Sequence, residues 1–187
     1  MTMKHASKRA LDLALLLPLT PLFALVTGVL AFIVLCVDGR PVFFLQKRVG
    51  RRRKPFTVFK LRTMTTDADE SVRKPTALGR RLRTHGVDEL PQLANVLLGS
   101  MSLVGPRPLT EKDVERLVAQ HPPFAARFDV KPGLTGFAQV HKTNGIADSA
   151  RLDAEYAQRQ GAVVDVAVLS RTVWINLVGK QRGKLAL

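Results

Sequence analysis

The stretch Leu13–Val37, LALLLPLTPLFALVTGVLAFIVLCV, governs how the rest of the chain is read, because its 25 residues are nearly all apolar and none is charged. As a helix rising about 1.5 Å per residue it reaches roughly 38 Å, against about 30 Å of bilayer hydrocarbon. A cleavable leader fits less well: the run is longer than a signal-peptide core, and no small-residue cleavage site follows Val37. Pro18 and Pro21 bracket Thr20 in its first third. A proline removes a backbone donor and crowds the preceding turn, so a break or strong kink is predicted at Thr20-Pro21.

Cations flank both ends, with Lys4, Lys8 and Arg9 before the run and Arg40, Lys47, Arg48, Arg51, Arg52, Arg53 and Lys54 after it. The positive-inside tendency keeps both flanks cytoplasmic. A segment that dips in and returns meets that condition, since two arms of about 12 residues reach about 18 Å each, close to half the hydrocarbon thickness. A proline-kinked single crossing is the other reading that the residues leave open.

Outward from this run, the 187-residue chain has room for about one domain. Its 29 Lys and Arg against 15 Asp and Glu give a formal charge of +14. Residues 1–110 carry 18 of the basic and 7 of the acidic side chains, so the positive field belongs to that half. Nucleic acid, acidic lipid headgroups or phosphorylated substrates are the partners such a field attracts. The single cysteine, Cys36, excludes an internal disulfide framework and a thiolate-cluster zinc site.

Val42–Leu45 and Phe56–Phe59 are short β-prone runs separated by a basic loop, the pattern of a hairpin. Nine basic and no acidic residues lie between Asp38 and Asp67. Such a run suits a solvated surface or one facing anionic membrane lipid. Lys60 and Arg62, two apart on a strand-like stretch, share a face and are expected to aim two cations at one phosphate. Thr65–Thr84 reads as loop or short helix. Asp88-Glu89 and Pro91 introduce an apolar helix that Gly99 ends, and SMSLVGPRP over 100–108 presents Arg107 between two prolines. A polar helix from Leu109 to about Gln120 follows, then a glycine-punctuated loop over 131–139. Residues 150–159 look helical, with Asp153 and Tyr156 neighbours on one face. In the last helix, roughly Val163–Val178, Asp165, Thr172 and Asn176 form a narrow polar stripe between apolar flanks that include Trp174. Such a helix is core or sits in the membrane interface, and the basic tail after Gly179 leans toward the membrane.

Walker, HExxH, CxxC and GxSxG patterns are absent, and the four histidines make no metal-ligand spacing. What remains is the carboxylate pair Asp88-Glu89 among Arg80, Arg81, Arg83, Arg107, Lys60 and Arg62. A carboxylate can attack phosphorus while cations neutralise the phosphate oxygens, so the set suits phosphoryl transfer. Taken alone, the same pair is an ordinary helix-start capping device.

Lys8-Arg9…Asp12, Thr20-Pro21, Gly39-Arg-Pro41-Val-Phe-Phe, Gln46-Lys-Arg-Val-Gly50, Lys60-Leu-Arg62-Thr-Met64, Asp88-Glu-Leu-Pro-Gln92, Gly105-Pro-Arg-Pro108 and Lys131-Pro-Gly-Leu-Thr-Gly136 occur in one order over nearly the whole chain. In that order they resemble the bacterial polyprenyl-phosphate sugar-1-phosphate transferases, in their minimal monotopic form. The resemblance implies an α+β, mainly helical fold. Residues 1–38 would be a re-entrant membrane helix-break-helix, and 39–187 a catalytic domain on the cytoplasmic face of the bacterial inner membrane, with a small β-hairpin and interfacial amphipathic helices.

It also implies a reaction in which a nucleotide sugar, expected to be a UDP-sugar, donates sugar 1-phosphate to undecaprenyl phosphate. Asp88 would be the nucleophile and Glu89 would help hold magnesium or manganese. Lys60, Arg62, Arg83 and Arg107 would bind phosphate or nucleotide groups, with Gln139 in the pocket. The chain departs from the family after Gln139, where a Gly-Arg pair is replaced by Val-His-Lys142. Lys142 can supply the charge but not the bidentate fork. Oligomeric state, a homo-oligomer included, stays open. A nucleic-acid binder is disfavoured, because the basic run has no interleaved exposed aromatics for base stacking. A lipid-bound scaffold accounts for the basic belt but not for Asp88-Glu89 beside Arg83 and Arg107.

Overall fold

The structure is a computed structural model that describes residues 2–178 except 68, 70, 71, 142 and 144. The tail after Gly179 lies outside the described residues. Among the described residues the fold is mainly helical, with four short strands in two two-stranded sheets.

Helices α1 (Thr2–Leu16) and α2 (Thr20–Asp38) are joined by one 3-10 turn, Leu17–Leu19. The predicted break at Thr20-Pro21 is met by this 3-10 turn, which begins three residues earlier. Backbone dihedrals at Leu16, Leu19 and Thr20 stay in the right-handed helical basin. The Thr20 hydroxyl donates to the Leu16 carbonyl at 2.9 Å, so a polar side chain satisfies an acceptor at the junction. Ala6–Asp38 is long and apolar enough to cross a membrane, and almost none of its most apolar stretch is buried.

Both ends of this helix are tied to the body. At the first end, Lys8 pairs with Asp165 at 2.6 Å, and Arg9 donates to the carbonyls of Val96 and Leu97. One turn on, Asp12 accepts from the Ser102 hydroxyl at 2.7 Å and the Leu103 amide at 3.1 Å. At the far end, Thr76 donates to the Asp38 carboxylate at 2.8 Å.

The predicted hairpin is present as β1 (Phe43–Val49) and β2 (Pro55–Leu61), antiparallel, with Phe44 opposite Lys60 and Leu45 opposite Phe59. Residues directly opposite share a face. Gln46, Arg48 and Lys60 thus lie on one side, and Leu45 and Phe59 on the other. Its basic tip is held on the body: Arg51 donates to the Asp129 carbonyl, and Arg53 lies over the Phe128 ring.

Helices α3 (Ala77–His85) and α4 (Gln92–Leu97) follow, then β3 (Ser102–Val104), α5 (Glu111–Gln120), a 3-10 segment at Pro122–Asp129 and β4 (Gly133–Thr135). The chain then forms α6 (Phe137–Val140), α7 (Ile146–Arg159) and α8 (Ala162–Val178). The expected loop over 131–139 instead holds a strand parallel to β3. Its glycines explain the pairing. A Cβ on Gly133 would stand 2.1 Å from the Gly105 nitrogen, and one on Gly136 would stand 2.2 Å from the Gly105 oxygen. Only bare backbone fits between the two motifs.

The polar stripe of α8 is turned partly inward. Asp165 is 1% exposed and Thr172 bonds Thr135, whereas Val163, Val166, Val173 and Trp174 are exposed. Asn176 stays outside. Internal partners for Asp165 reverse the usual rule that a helix turns its polar stripe to water. The core beneath α8 is built from Val104, Val130, Val140, Tyr156, Val168 and Ile175.

Candidate active site

Asp88 is reached by a sharp turn. Helix α3 ends at Gly86, whose φ of 70° is a left-handed conformation that favours glycine, and a 3-10 turn over Val87–Glu89 leads toward α4. The carboxylates stand just before a short helix, not within its first turn. Asp88 is 6% exposed, and Glu89 is half-buried.

The two carboxylates have unlike surroundings. Lys60 donates to Glu89 Oε1 at 2.7 Å, and Arg107 spans both oxygens at 2.7 and 3.4 Å. Burial alone would raise the Glu89 pKa, but Arg107 and then Lys60 override it and hold the group at about 2. Asp88 is pushed above the usual carboxylate range, first by burial and then by the Glu89 charge, with Lys60 and Arg83 pulling the other way. Arg83 is exposed and braced by a 2.9 Å hydrogen bond from its Nε to Thr63 Oγ1.

Lys60, Arg83, Arg107, Asp88 and Glu89 are thus brought together. Arg62 lines the same polar cavity as Lys60, Arg83 and Asp88, and its guanidinium donates to the carbonyls of Asp38, Gly39, Pro41 and Met64, so it also pins the exit of α2. Gln139 lies across Arg107, in a cavity of about 410 Å³ shared with Arg107, Arg127 and Asp153. Both its amide atoms are buried without a hydrogen-bond partner, which marks unused polar capacity. Behind Arg107, the buried Arg127 donates to the Arg107 carbonyl and pairs with Asp153 at 3.3 Å. Burial raises Asp153 to about 6 despite that partner. Lys142 lies outside the described residues.

Arg48 is a site residue the sequence reading passed over. It borders two polar cavities, one with Lys60 and Asp88 and one with Glu89 and Arg107. Alternation along β1 held the signal, since Arg48 falls on the same face as Lys60 while Lys47 does not.

Two larger cavities lie near this turn, and Asp88 lines one of them. One, of about 510 Å³, is lined by Asp88, Lys60, Arg48, Arg73, Arg83 and Gln46 among others. The other, of about 690 Å³, is almost wholly apolar and runs between the membrane helix and the hairpin, from Leu16 and Phe23 to Leu45, Phe59, Leu90 and Pro91. Phe43 borders both. Among the described residues no three His, Cys, Asp or Glu side chains form a metal cluster. Magnesium needs no such cage. It is commonly held by one or two carboxylates together with substrate phosphates and water, and the Asp88-Glu89 pair fits that donor set.

A buried carboxylate beside Lys60 and Arg83, lining a polar cavity with an apolar cavity close by, suits a transferase of anionic groups more readily than a lipid-bound scaffold. The family model described as bacterial sugar transferase matches residues 3–179, and the chain belongs to that family. It is 38% identical to the UDP-glucose:undecaprenyl-phosphate glucose-1-phosphate transferase of Caulobacter vibrioides, over 89% of this chain and 68% of that protein. An uncharacterized sugar transferase of Bacillus subtilis, EpsL, is 42% identical over 76% of this chain and 73% of its own length. The UDP-glucose:undecaprenyl-phosphate glucose-1-phosphate transferase of Escherichia coli is 35% identical over 92% of this chain, which spans 40% of that longer protein. The chain is accordingly a sugar phosphotransferase.

Proposed function

We propose that the chain moves a sugar 1-phosphate from a UDP-sugar to undecaprenyl phosphate, releasing uridine monophosphate. The observation that carries this is Asp88 lining a cation-rimmed polar cavity, with an apolar cavity opening two residues further on at Leu90 and Pro91. One reactant is a water-soluble polyanion and the other an isoprenoid phosphate, so the two chambers suit the two phases from which they come. First, an Asp88 oxygen bonds to the phosphorus that bears the sugar. The bond from that phosphorus to the bridging oxygen breaks, and its electron pair leaves with the nucleotide. Second, an oxygen of the lipid phosphate attacks the same phosphorus, and the Asp88 bond breaks to restore the carboxylate.

Lys60, Arg83 and Arg107 face the charge that spreads over the transferring phosphate. The cavity holding Gln139 lies beyond Arg107 from Asp88, which supports it as the nucleotide side. Glu89 would hold a magnesium or manganese ion, which when bound supplies Lewis-acid charge to the leaving phosphate. Mixing the full chain in detergent with undecaprenyl phosphate, magnesium and a panel of UDP-sugars should release uridine monophosphate with at least one donor. Release from none of them would overturn the assignment.

The Glu89 charge also sets a pH dependence. Asp88 is held above the usual range partly by Glu89, so Glu89→Gln removes a like charge and frees Lys60 and Arg107 toward Asp88. The acid limb of residual kcat/KM should then move to lower pH. A limb that stays in place would mean that Glu89 does not govern Asp88 protonation.

The apolar run is read as re-entrant. Asp12 and Asp38 are 26 residues apart, roughly 39 Å along a straight helix, yet both are hydrogen-bonded to the one polar body. A crossing would leave those anchors on opposite faces of about 30 Å of hydrocarbon. With Cys36 replaced by Ser, Thr2→Cys and Lys47→Cys should both resist a membrane-impermeant label applied from the periplasm. Labelling of position 2 alone would establish the kinked crossing instead.

A further inference from the structure

Arg9 and Lys131 meet at the far end of α4 from the Asp88-Glu89 turn, and the reaction above uses neither. Gly99 follows α4 with φ of +84°, and a Cβ on it would stand 3.7 Å from both Arg9 Nη2 and Lys131 Nζ. Two cationic heads therefore flank one point that no side chain fills. Arg9 donates to the carbonyls of Val96 and Leu97, which leaves other N–H groups of its fork to spare. Lys131 makes no hydrogen bond or ion pair among the described residues.

The local charge balance is one-sided. Lys8, Arg9 and Arg51 all bear on the Lys131 ammonium, and Asp12 is the acidic group that opposes them. Asp12 is already engaged by Ser102 and Leu103, and Lys8 by Asp165. Burial, and then Arg9, push the Lys131 ammonium below its usual value. A half-buried ammonium beside a guanidinium is unfavourable until an anion joins them.

The level in the membrane identifies that anion. Arg9 lies four residues before Leu13, about 6 Å along the helix, and the polar layer of a bilayer is roughly 5–8 Å deep on each side. Arg9 is thus at headgroup depth if Leu13 enters the hydrocarbon. Leu98, next to Gly99, is 74% exposed, and α8, which packs on α1, exposes Val173 and Trp174. Apolar and aromatic side chains beside cations are the composition of a membrane interface.

We infer that Arg9 and Lys131 form a binding site for the phosphate headgroup of an anionic membrane phospholipid. This rests on the reading that residues 13–37 enter the bilayer.

Native mass spectrometry of the full chain released from mixed phosphatidylglycerol and phosphatidylcholine nanodiscs tests it. Wild type should retain phosphatidylglycerol. Lys131→Gln should lower the retained fraction about fivefold, the factor for one cation at an anionic surface. Lys131→Arg should keep the lipid, and detergent-phase turnover of both variants should match wild type. Added inorganic phosphate should leave the lipid in place.

Equal retention by Lys131→Gln and wild type would overturn the site, as would an equal fall in Lys54→Gln at the exposed hairpin tip, which would mark a diffuse charge effect. Displacement by inorganic phosphate would assign the site to a soluble anion instead. A wild type that turns over donor but keeps no phospholipid overturns this site alone. A wild type washed from membranes by high-pH carbonate overturns the insertion on which it rests.

Discussion

Asp88→Asn is expected to lower turnover by at least about 10³-fold, the order that follows loss of a covalent nucleophile, while the chain still folds and associates with membranes. The substitution keeps the side-chain shape at a 6% exposed position and removes the like charge that Glu89 presses on it, so the fold gains a little if anything. What it removes is the one oxygen of this pair free to attack. Glu89 is the poorer nucleophile, because Arg107 and Lys60 hold its pKa at about 2, too weakly basic to bond phosphorus well. The environments of the two carboxylates differ in the way that separates a nucleophile from an electrostatic partner. With donor labelled in the sugar and no lipid acceptor, wild type should carry label on the protein and the Asn variant none. Equal labelling of both, or comparable turnover, would transfer the nucleophile elsewhere and reduce Asp88 to a buried turn residue.

The elements legible in the sequence are those whose signal is local. The hairpin was readable from two β-prone runs about a basic loop, and α5, α7 and α8 from their periodicity. Each of those patterns is decided within a dozen residues. The β3–β4 pair was not readable, because strands of three residues carry no periodicity. What joins them is the close approach of Gly105 to Gly133 and Gly136, a contact across some 30 residues of chain. The two prolines mark the junction of the membrane helices, which the structure forms as a 3-10 turn over Leu17–Leu19. Thr20 there donates to the Leu16 carbonyl, the use of its hydroxyl that the resemblance implies.

Within the site the residues came through and their grouping less well. Asp88, Glu89, Lys60, Arg83 and Arg107 are drawn together from four separate segments, which the ordered motifs conveyed and spacing alone did not. Arg62 illustrates the limit. A face shared with Lys60 says where a side chain begins, but four carbonyls between Asp38 and Met64 decide where its guanidinium ends. Arg48 shows the converse, since strand alternation put it beside Lys60 and only the abundance of neighbouring arginines hid it.

Asp165→Ala should cost about 3–5 kcal/mol, the range for leaving one member of a buried ion pair without its partner. In detergent that corresponds to a fall in melting temperature of roughly 6–20 °C for a chain of this size. The side chains of Lys8 and Asp165 are 7% and 2% exposed and lie 2.6 Å apart. Asp165 also accepts from the Tyr156 hydroxyl at 2.8 Å, and that hydroxyl reaches the Val104 carbonyl at 2.9 Å. One carboxylate therefore ties α1, α7, α8 and β3 together beneath the membrane helix. Its removal leaves the Lys8 ammonium buried against the Tyr156 ring with no counter-charge. Replacing both partners with apolar side chains, Lys8→Met with Asp165→Leu, should recover most of the loss, because the desolvation cost of the ammonium disappears with it. A double variant no more stable than Asp165→Ala would show that the carboxylate acts through Tyr156 and α7, not through the charge of the membrane helix.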